Sequence, residues 1–267
     1  MATVGLFAWK WGEEKYDQAS EAFIVREIET FNDGAVSPRR IEAMAQARKN
    51  KNLLSLDLLE MQNRLEKMAF IEKASVEREF PNQLKIRVWE RQPELCWNRR
   101  PELVFEKSFD ELTQEELKEL IRSRIFIDGE GVAMEAPPEW FMPGGPAEKC
   151  VSIVDVDVEW FGYGRTTREP RILKAIQLKK MFERSPLSLE TKISKISFAE
   201  GRTLQVYDQS GARLVFSKDH IDLSMLHWIR VAEVGRLSGK RIDFIDLSIT
   251  NNCPVTWKDL QDVASIR

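Results

Sequence analysis

Long apolar runs are missing from this sequence. The longest near its start, residues 4–11 (VGLFAWKW), is eight positions and includes a lysine, whereas a membrane-spanning helix needs about 20 predominantly apolar residues. No complete span is written here; the stretch reads as an ordinary amphipathic start or as the last turns of a span beginning upstream. Histidine is scarce too. His220 and His227 are the only two, seven positions apart and without a nearby third ligand, which falls far short of an HExxH metal site. The three cysteines, Cys96, Cys150 and Cys253, are odd in number, widely separated and in no CxxC spacing. That excludes a zinc cluster or a disulfide framework and leaves small buried hydrophobes. An excess of one charge is also lacking: 40 basic against 43 acidic side chains give a net charge of −3, with no global electrostatic footprint for nucleic acid.

The motifs of nucleotide and acyl chemistry are absent as well. Residues 235–241 (GRLSGKR) are one position short of a phosphate loop and carry arginine where the magnesium-binding hydroxyl belongs; a helix C-cap followed by a turn explains them better. Residues 162–164 (GYG) lack the third glycine and the strand-to-helix context of a dinucleotide fingerprint. No GxSxG and no catalytic Cys/His arrangement occurs. No catalytic, metal or cofactor-binding residue is assigned, and the chain reads as non-enzymatic.

What is present is ample apolar and charged material, 43% and 31% of 267 residues, enough for two domains with separate cores. Residues 23–31 alternate as a strand with one mainly apolar face. Ser37 and Pro38 then mark a helix start, and Ile41, Met44, Ala45 and Arg48 repeat at helical spacing, with Arg48 closing the buried stripe. Asp57 can cap a second helix through Leu58, Met61, Leu65 and Met68. Residues 70–80 form a second strand with Ala74, Val76 and Phe80 on one side. Residues 83–89 form a third, with Leu84, Ile86 and Val88 facing one way and Lys85, Arg87 and Trp89 the other; Pro81 and Asn82 supply the turn between them. Two helices must therefore cover one face of three strands. If residues 83–89 are central, residues 70–80, including Ser75, Glu77, Arg78 and Glu79, are an edge strand.

Beyond Pro93 the pattern loosens. Residues 94–98 and 103–106 are candidate short strands, and Thr113 pairs with Glu116 as a capping box for a helix over 113–123. Residues 125–134 read as a hairpin around Gly129 and Gly131, and 165–190 as helix-like, with Leu173, Ile176, Leu178 and Met181 in its core. Three short strands follow at 195–198, 203–207 and 213–216. Next come a helix with Met225, Trp228, Ile229 and Ala232 inward and a strand at 242–249 buried on both faces or nearly so. A turn at Asn251 and Asn252 leads into Val255, Thr256 and Trp257. The second half is thus an antiparallel sheet with packed helices.

These phrases resemble the POTRA domain of the FtsQ/DivIB family of bacterial cell-division proteins. The match is carried by Phe70, Ile71, Ala74, Val76, Arg78, Phe80, Pro81, Leu84, Ile86, Val88, Glu90, Arg91, Pro93 and Trp97. Further on, residues 127–132 (IDGEGV) resemble the family's hairpin, and Ile245, Asp246 and Leu247 followed by Val255 and Trp257 resemble its near-terminal segment. Ser248 and Ile249 stand where the family has Arg-Tyr. The expected fold is α+β: a juxtamembrane segment or span end over 1–22, a POTRA domain (β-α-α-β-β) over 23–93, an FtsQ-type β domain over 94–260 and a tail over 261–267.

The resemblance implies a scaffold without enzymatic activity or cofactor, in the inner membrane by a single pass, with these domains on the periplasmic side at the division septum. Its implied partners are FtsB-like and FtsL-like membrane-anchored coiled-coil proteins, bound by strand addition around Ser248, Ile249, Thr250, Asn251, Asn252, Val255, Thr256 and Trp257. Backbone recognition at a sheet edge tolerates the Ser248 and Ile249 changes. A chaperone or secretion module that binds extended polypeptides is the competing reading, disfavoured because no second POTRA phrase is visible. Glu90, Arg91 and Pro93 are expected at an interdomain joint, since Pro93 cannot donate to a ladder and holds the chain extended. The basic cluster Arg39, Arg40, Arg48, Lys49 and Lys51 reads either as a solvated helix end or as an attraction to an anionic membrane surface.

Overall fold

The computed structural model describes residues 21–98, 111–156, 162–198, 201, 203–249 and 252–259. The expected segment before residue 21, the candidate strand at 103–106, Thr250, Asn251 and the tail over 261–267 lie outside them. Two compact units succeed one another, divided between Arg91 and Gln92. Among the described residues no helix is long and apolar enough to cross a membrane.

The first unit runs β1 (Glu27–Asn32), α1 (Pro38–Ala45), α2 (Leu58–Glu66), β2 (Ile71–Glu79) and β3 (Gln83–Glu90). Strand order is β1-β3-β2, with β1 parallel and β2 antiparallel to the central β3. Leu84, Ile86 and Val88 are buried together with Ile41 and Ala45 of α1 and Met61 and Leu65 of α2. On the opposite face Lys85 pairs with Glu29 at 3.0 Å and Glu79 at 3.8 Å, and Arg87 with Glu77 at 3.4 Å. Asp57 caps α2 by accepting the Glu60 amide at 2.9 Å.

Two details differ from the sequence pattern. Gln46 adopts a left-handed conformation (φ 56°) that stops α1 at Ala45, so Arg48 leaves the helix and is exposed instead of closing its stripe. Phe80 falls beyond the last residue of β2, in the turn, and is 61% exposed; alternation assigns it a buried face that a turn does not have.

The second unit comprises β4 (Pro93–Asn98), α3 (Gln114–Ser123), β5 (Arg124–Asp128), β6 (Ala133–Met134), β7 (Val151–Val154), α4 (Pro170–Glu183), β8 (Ile193–Ser197), β9 (Thr203–Asp208), β10 (Arg213–Ser217), α5 (Ile221–Leu237), β11 (Lys240–Asp246) and β12 (Val255–Asp259). The capping box of α3 is complete in both directions, Thr113 with Glu116. One nine-stranded sheet has the order β12-β11-β10-β9-β8-β7-β4-β5-β6. It is mixed, not purely antiparallel: β4–β7, β7–β8 and β10–β11 are parallel. Parallel neighbours need a long crossover, and α4 and α5 supply two of the three.

The main core joins Leu95, Trp97, Ile125, Ile127 and Ile153 of the sheet to Ile172, Ala175, Ile176 and Phe182 of α4 and Met225 and Trp228 of α5. Phe182 stacks on Trp228 at 5.3 Å. Leu173 is 43% exposed, because the helix begins at Pro170 and its buried stripe runs through 172, 175, 176, 178, 179 and 182. A smaller cluster sets Phe126 edge-to-face against Trp140 and Phe141.

Two hairpins repeat one design. Asp128 accepts the amides of Glu130 and Val132, and Asp208 those of Ser210 and Ala212, each at 2.8–2.9 Å. Each loop closes through a glycine of positive φ, Gly131 at 83° and Gly211 at 85°, a conformation L side chains resist.

Candidate interaction site

Among the described residues strand β12 is the outermost strand of the large sheet and pairs only with β11, antiparallel, from Ile245 opposite Val255 to Lys240 opposite Asp259. The register shifts between Ile242 and Phe244, and Lys258 pairs with Asp243 at this irregularity, 2.5 Å apart. Residues 242–249 read as a strand buried on nearly both faces, but β11 ends at Asp246 and only Ile245 within it is buried. The reason is position: β11 lies one strand from the sheet edge, where little material covers it.

The connection from β11 to β12 is pinned from inside. The Leu247 amide donates to the Val215 carbonyl at 2.7 Å, and the buried Ser224 hydroxyl donates to the Leu247 carbonyl at 2.9 Å. Ser248 folds back, its amide and hydroxyl both donating to the Asp246 carboxylate at 2.9 and 2.6 Å. Ile249 is exposed and Asn252 likewise; Val255 and Trp257 are half-buried, and Thr256 is exposed between them. His227 Nδ1 lies 3.7 Å from Cys253 Sγ. No group of three or more His, Cys, Asp or Glu side chains placed to hold a metal occurs among the described residues.

Trp257 does more than close the end of the sheet. Its ring passes over Gly235 of α5 so closely that a Cβ there would lie 2.4 Å from Trp257 Cζ3 and 2.9 Å from the Lys240 carbonyl oxygen. Beside it a pocket of about 420 Å³ opens between Trp257, Ile242, Trp228, Leu187 and Leu214, with Arg236 and Arg241 among its polar lining. Neither Gly235 nor this pocket is legible in the sequence pattern. The available signal was a glycine inside a helix, which costs about 1 kcal/mol relative to alanine and so points to a close packing contact.

The other expected residues sit in the first unit. Ser75, Glu77, Arg78 and Glu79 lie on β2, which among the described residues has β3 on one side only. Arg78 is committed inward: its guanidinium donates to the carbonyls of Leu53 and Leu56 at 2.8 and 2.6 Å. Glu90, expected at an interdomain joint, is the last residue of β3 and is 4% exposed. Its carboxylate accepts the Val36 amide at 2.8 Å and the Asn32 side-chain amide, so its charge holds a loop of its own unit. The Arg91 amide donates to the Phe70 carbonyl at 2.8 Å, and Pro93 opens β4.

Residues 23–91, the whole β-α-α-β-β unit, match the family described as POTRA domain, FtsQ-type. The first unit is an FtsQ-type POTRA domain. Over 75 residues the chain is 39% identical to a cell division protein FtsQ of Syntrophotalea carbinolica. That alignment covers 28% of this chain and 27% of the relative, so the match spans about a quarter of the curated protein's length. Both similarities bear out the resemblance to the FtsQ/DivIB family drawn from the POTRA phrases. Within that domain Arg78 and Glu90 both fasten loops to the sheet.

Proposed function

We propose that this chain is a non-enzymatic scaffold of the bacterial division machinery, held at the inner membrane with its POTRA and β domains on the periplasmic side of the septum. It captures extended segments of FtsB-like and FtsL-like coiled-coil partners by strand addition along β12. The observation that carries this reading is the single-sided pairing of β12. An edge strand presents unpaired backbone N–H and C=O groups, so a partner strand gains main-chain hydrogen bonds while neighbouring pockets select its side chains. The pocket beside Trp257 suits one apolar anchor from such a strand, and tryptophan is enriched where truncation costs binding most. The FtsQ-type POTRA domain and the cell-division relative support the cellular setting.

Deleting residues 249–267 and measuring pull-down of the coiled-coil partners tests the proposal. Capture is expected to be lost; undiminished capture by a truncation that remains folded overturns it. Trp257→Ala is the milder variant, expected to weaken capture about thirtyfold, corresponding to about 2 kcal/mol.

A further inference from the structure

Four cations without ion-pair partners among the described residues gather at one end of the POTRA domain, with Glu21 and Glu27 the acidic residues on the adjoining segment. Arg48, Lys49 and Lys51 are exposed on the connection between α1 and α2, and Arg26 is exposed just before β1. Among the described residues, none of these four side chains has an ion pair or hydrogen-bond partner. This contrasts with the open sheet face of the same domain, where Lys85 and Arg87 are matched by Glu29, Glu77 and Glu79.

Backbone hydrogen bonds fix where these cations lie. The Asn50 amide donates to the Val25 carbonyl and the Val25 amide to the Lys51 carbonyl, each at 2.9 Å; the Leu53 amide donates to the Phe23 carbonyl at 2.7 Å. The basic connection is therefore tied alongside residues 23–25, the segment by which residues 1–20 join the domain. The β2–β3 turn reaches the same end, since the Arg26 amide donates to the Asn82 carbonyl at 2.9 Å. That turn brings Phe80, 61% exposed, edge-to-face with Phe23 at 5.8 Å, and Leu54 nearby is 53% exposed. Glu21 is an exposed acidic residue on the same leading segment.

We infer that this end of the POTRA domain is a lipid-headgroup contact surface: Arg26, Arg48, Lys49 and Lys51 engage anionic headgroup phosphates, and Phe80 and Leu54 settle into the interfacial layer. Unpaired cations beside exposed aromatic and aliphatic groups match an anionic bilayer surface, which takes up both chemistries at once. The inference rests on the proposed membrane setting of the domain but not on partner capture. Each basic residue held near an anionic leaflet strengthens attachment about fivefold, so three together amount to about a hundredfold.

The test sediments the full 267-residue chain with vesicles of phosphatidylcholine alone or with about one-third phosphatidylglycerol, at low and high salt. The chain is expected to prefer anionic vesicles and to be released by salt. The variant Arg48→Gln, Lys49→Gln, Lys51→Gln is expected to lose about a hundredfold in partitioning, while Lys118→Gln, Arg122→Gln, Lys149→Gln on the other unit loses little. Equal binding to both vesicle types, or a triple 48/49/51 variant that partitions like the parent, overturns the inference. The same variant is tested for capture of the coiled-coil partners. Loss of lipid partitioning with capture retained isolates this surface, whereas loss of capture by the 249–267 deletion concerns the edge strand alone.

Discussion

The Glu90 carboxylate accepts the backbone N–H of Val36 at 2.8 Å across 54 positions of sequence, and it occupies the space where a Cβ on Gly34 would stand: the two would be 2.1 Å apart. Glu90→Ala leaves the buried Val36 amide without this acceptor and is expected to destabilise the chain by about 2 kcal/mol. Gly34→Ala alone displaces Glu90 and costs a similar amount, but in the Glu90→Ala background the added methyl fits the vacated space. Urea unfolding of the double variant is expected to show strong non-additivity; simple addition of the two costs counts against the arrangement.

Lys179 of α4 is buried between Glu94 of β4 and Glu183 of its own helix. Burial pushes its ammonium down, but hydrogen bonds and charge from the two carboxylates outweigh this and hold it above the ordinary lysine value. Its contribution to stability is therefore complete below the ordinary lysine pKa and fades as pH rises through the raised one. Lys179→Met is expected to cost about 3 kcal/mol because two carboxylates lose their cation. The triple variant with Glu94→Gln and Glu183→Gln is expected to recover more than half, as read by thermal denaturation.

Gly235 is expected to tolerate no side chain. Gly235→Ala drives its Cβ into the Trp257 ring and the Lys240 carbonyl, so it should shift Trp257 and destabilise the β11–β12 hairpin by about 1–3 kcal/mol, the usual cost of overpacking. Intrinsic tryptophan fluorescence and partner capture are both expected to change. An unaltered spectrum with normal capture would show that Trp257 does not depend on this contact.

Cys96 supplies a pH dependence. Burial raises its thiol from 9.0 to about 11, against the pull of Arg124, and Cys150 is pushed up as well, chiefly by burial. The folded chain keeps protons that the unfolded chain releases, so this stability is intact below about pH 9 and declines as pH rises toward 11. Urea midpoints measured up to about pH 10 are expected to fall, and less steeply in a Cys96→Ala, Cys150→Ala variant.

How much of this was legible depended on whether a signal was local. The order β-α-α-β-β and the Thr113–Glu116 box follow from alternation, capping and turn residues that act within a few positions, whereas the central place of residues 83–89 was one open alternative until the pairing decided it. The stop of α1 at Gln46 was hidden because glutamine carries no preference for positive φ. The parallel pairings of β4 with β7 and β10 with β11 were hidden because short apolar strands do not announce their neighbours. Glu90 read as part of an interdomain joint, and its contacts were hidden because its partners, Asn32 and Val36, lie more than 50 positions away. The edge position of residues 255–257 was anticipated through resemblance, but the role of Gly235 beneath Trp257 came only from three-dimensional packing.

Strand β12 is both the last strand among the described residues and the outermost in its sheet. The surface proposed for partner capture is thus completed only after the other strands described in that sheet have been made. A chain interrupted between residues 247 and 254 would expose β11 in its place, without Trp257. The proposed capture would then distinguish chains that carry β12 from chains broken off before it, because the edge offered to a partner is a different strand in the two.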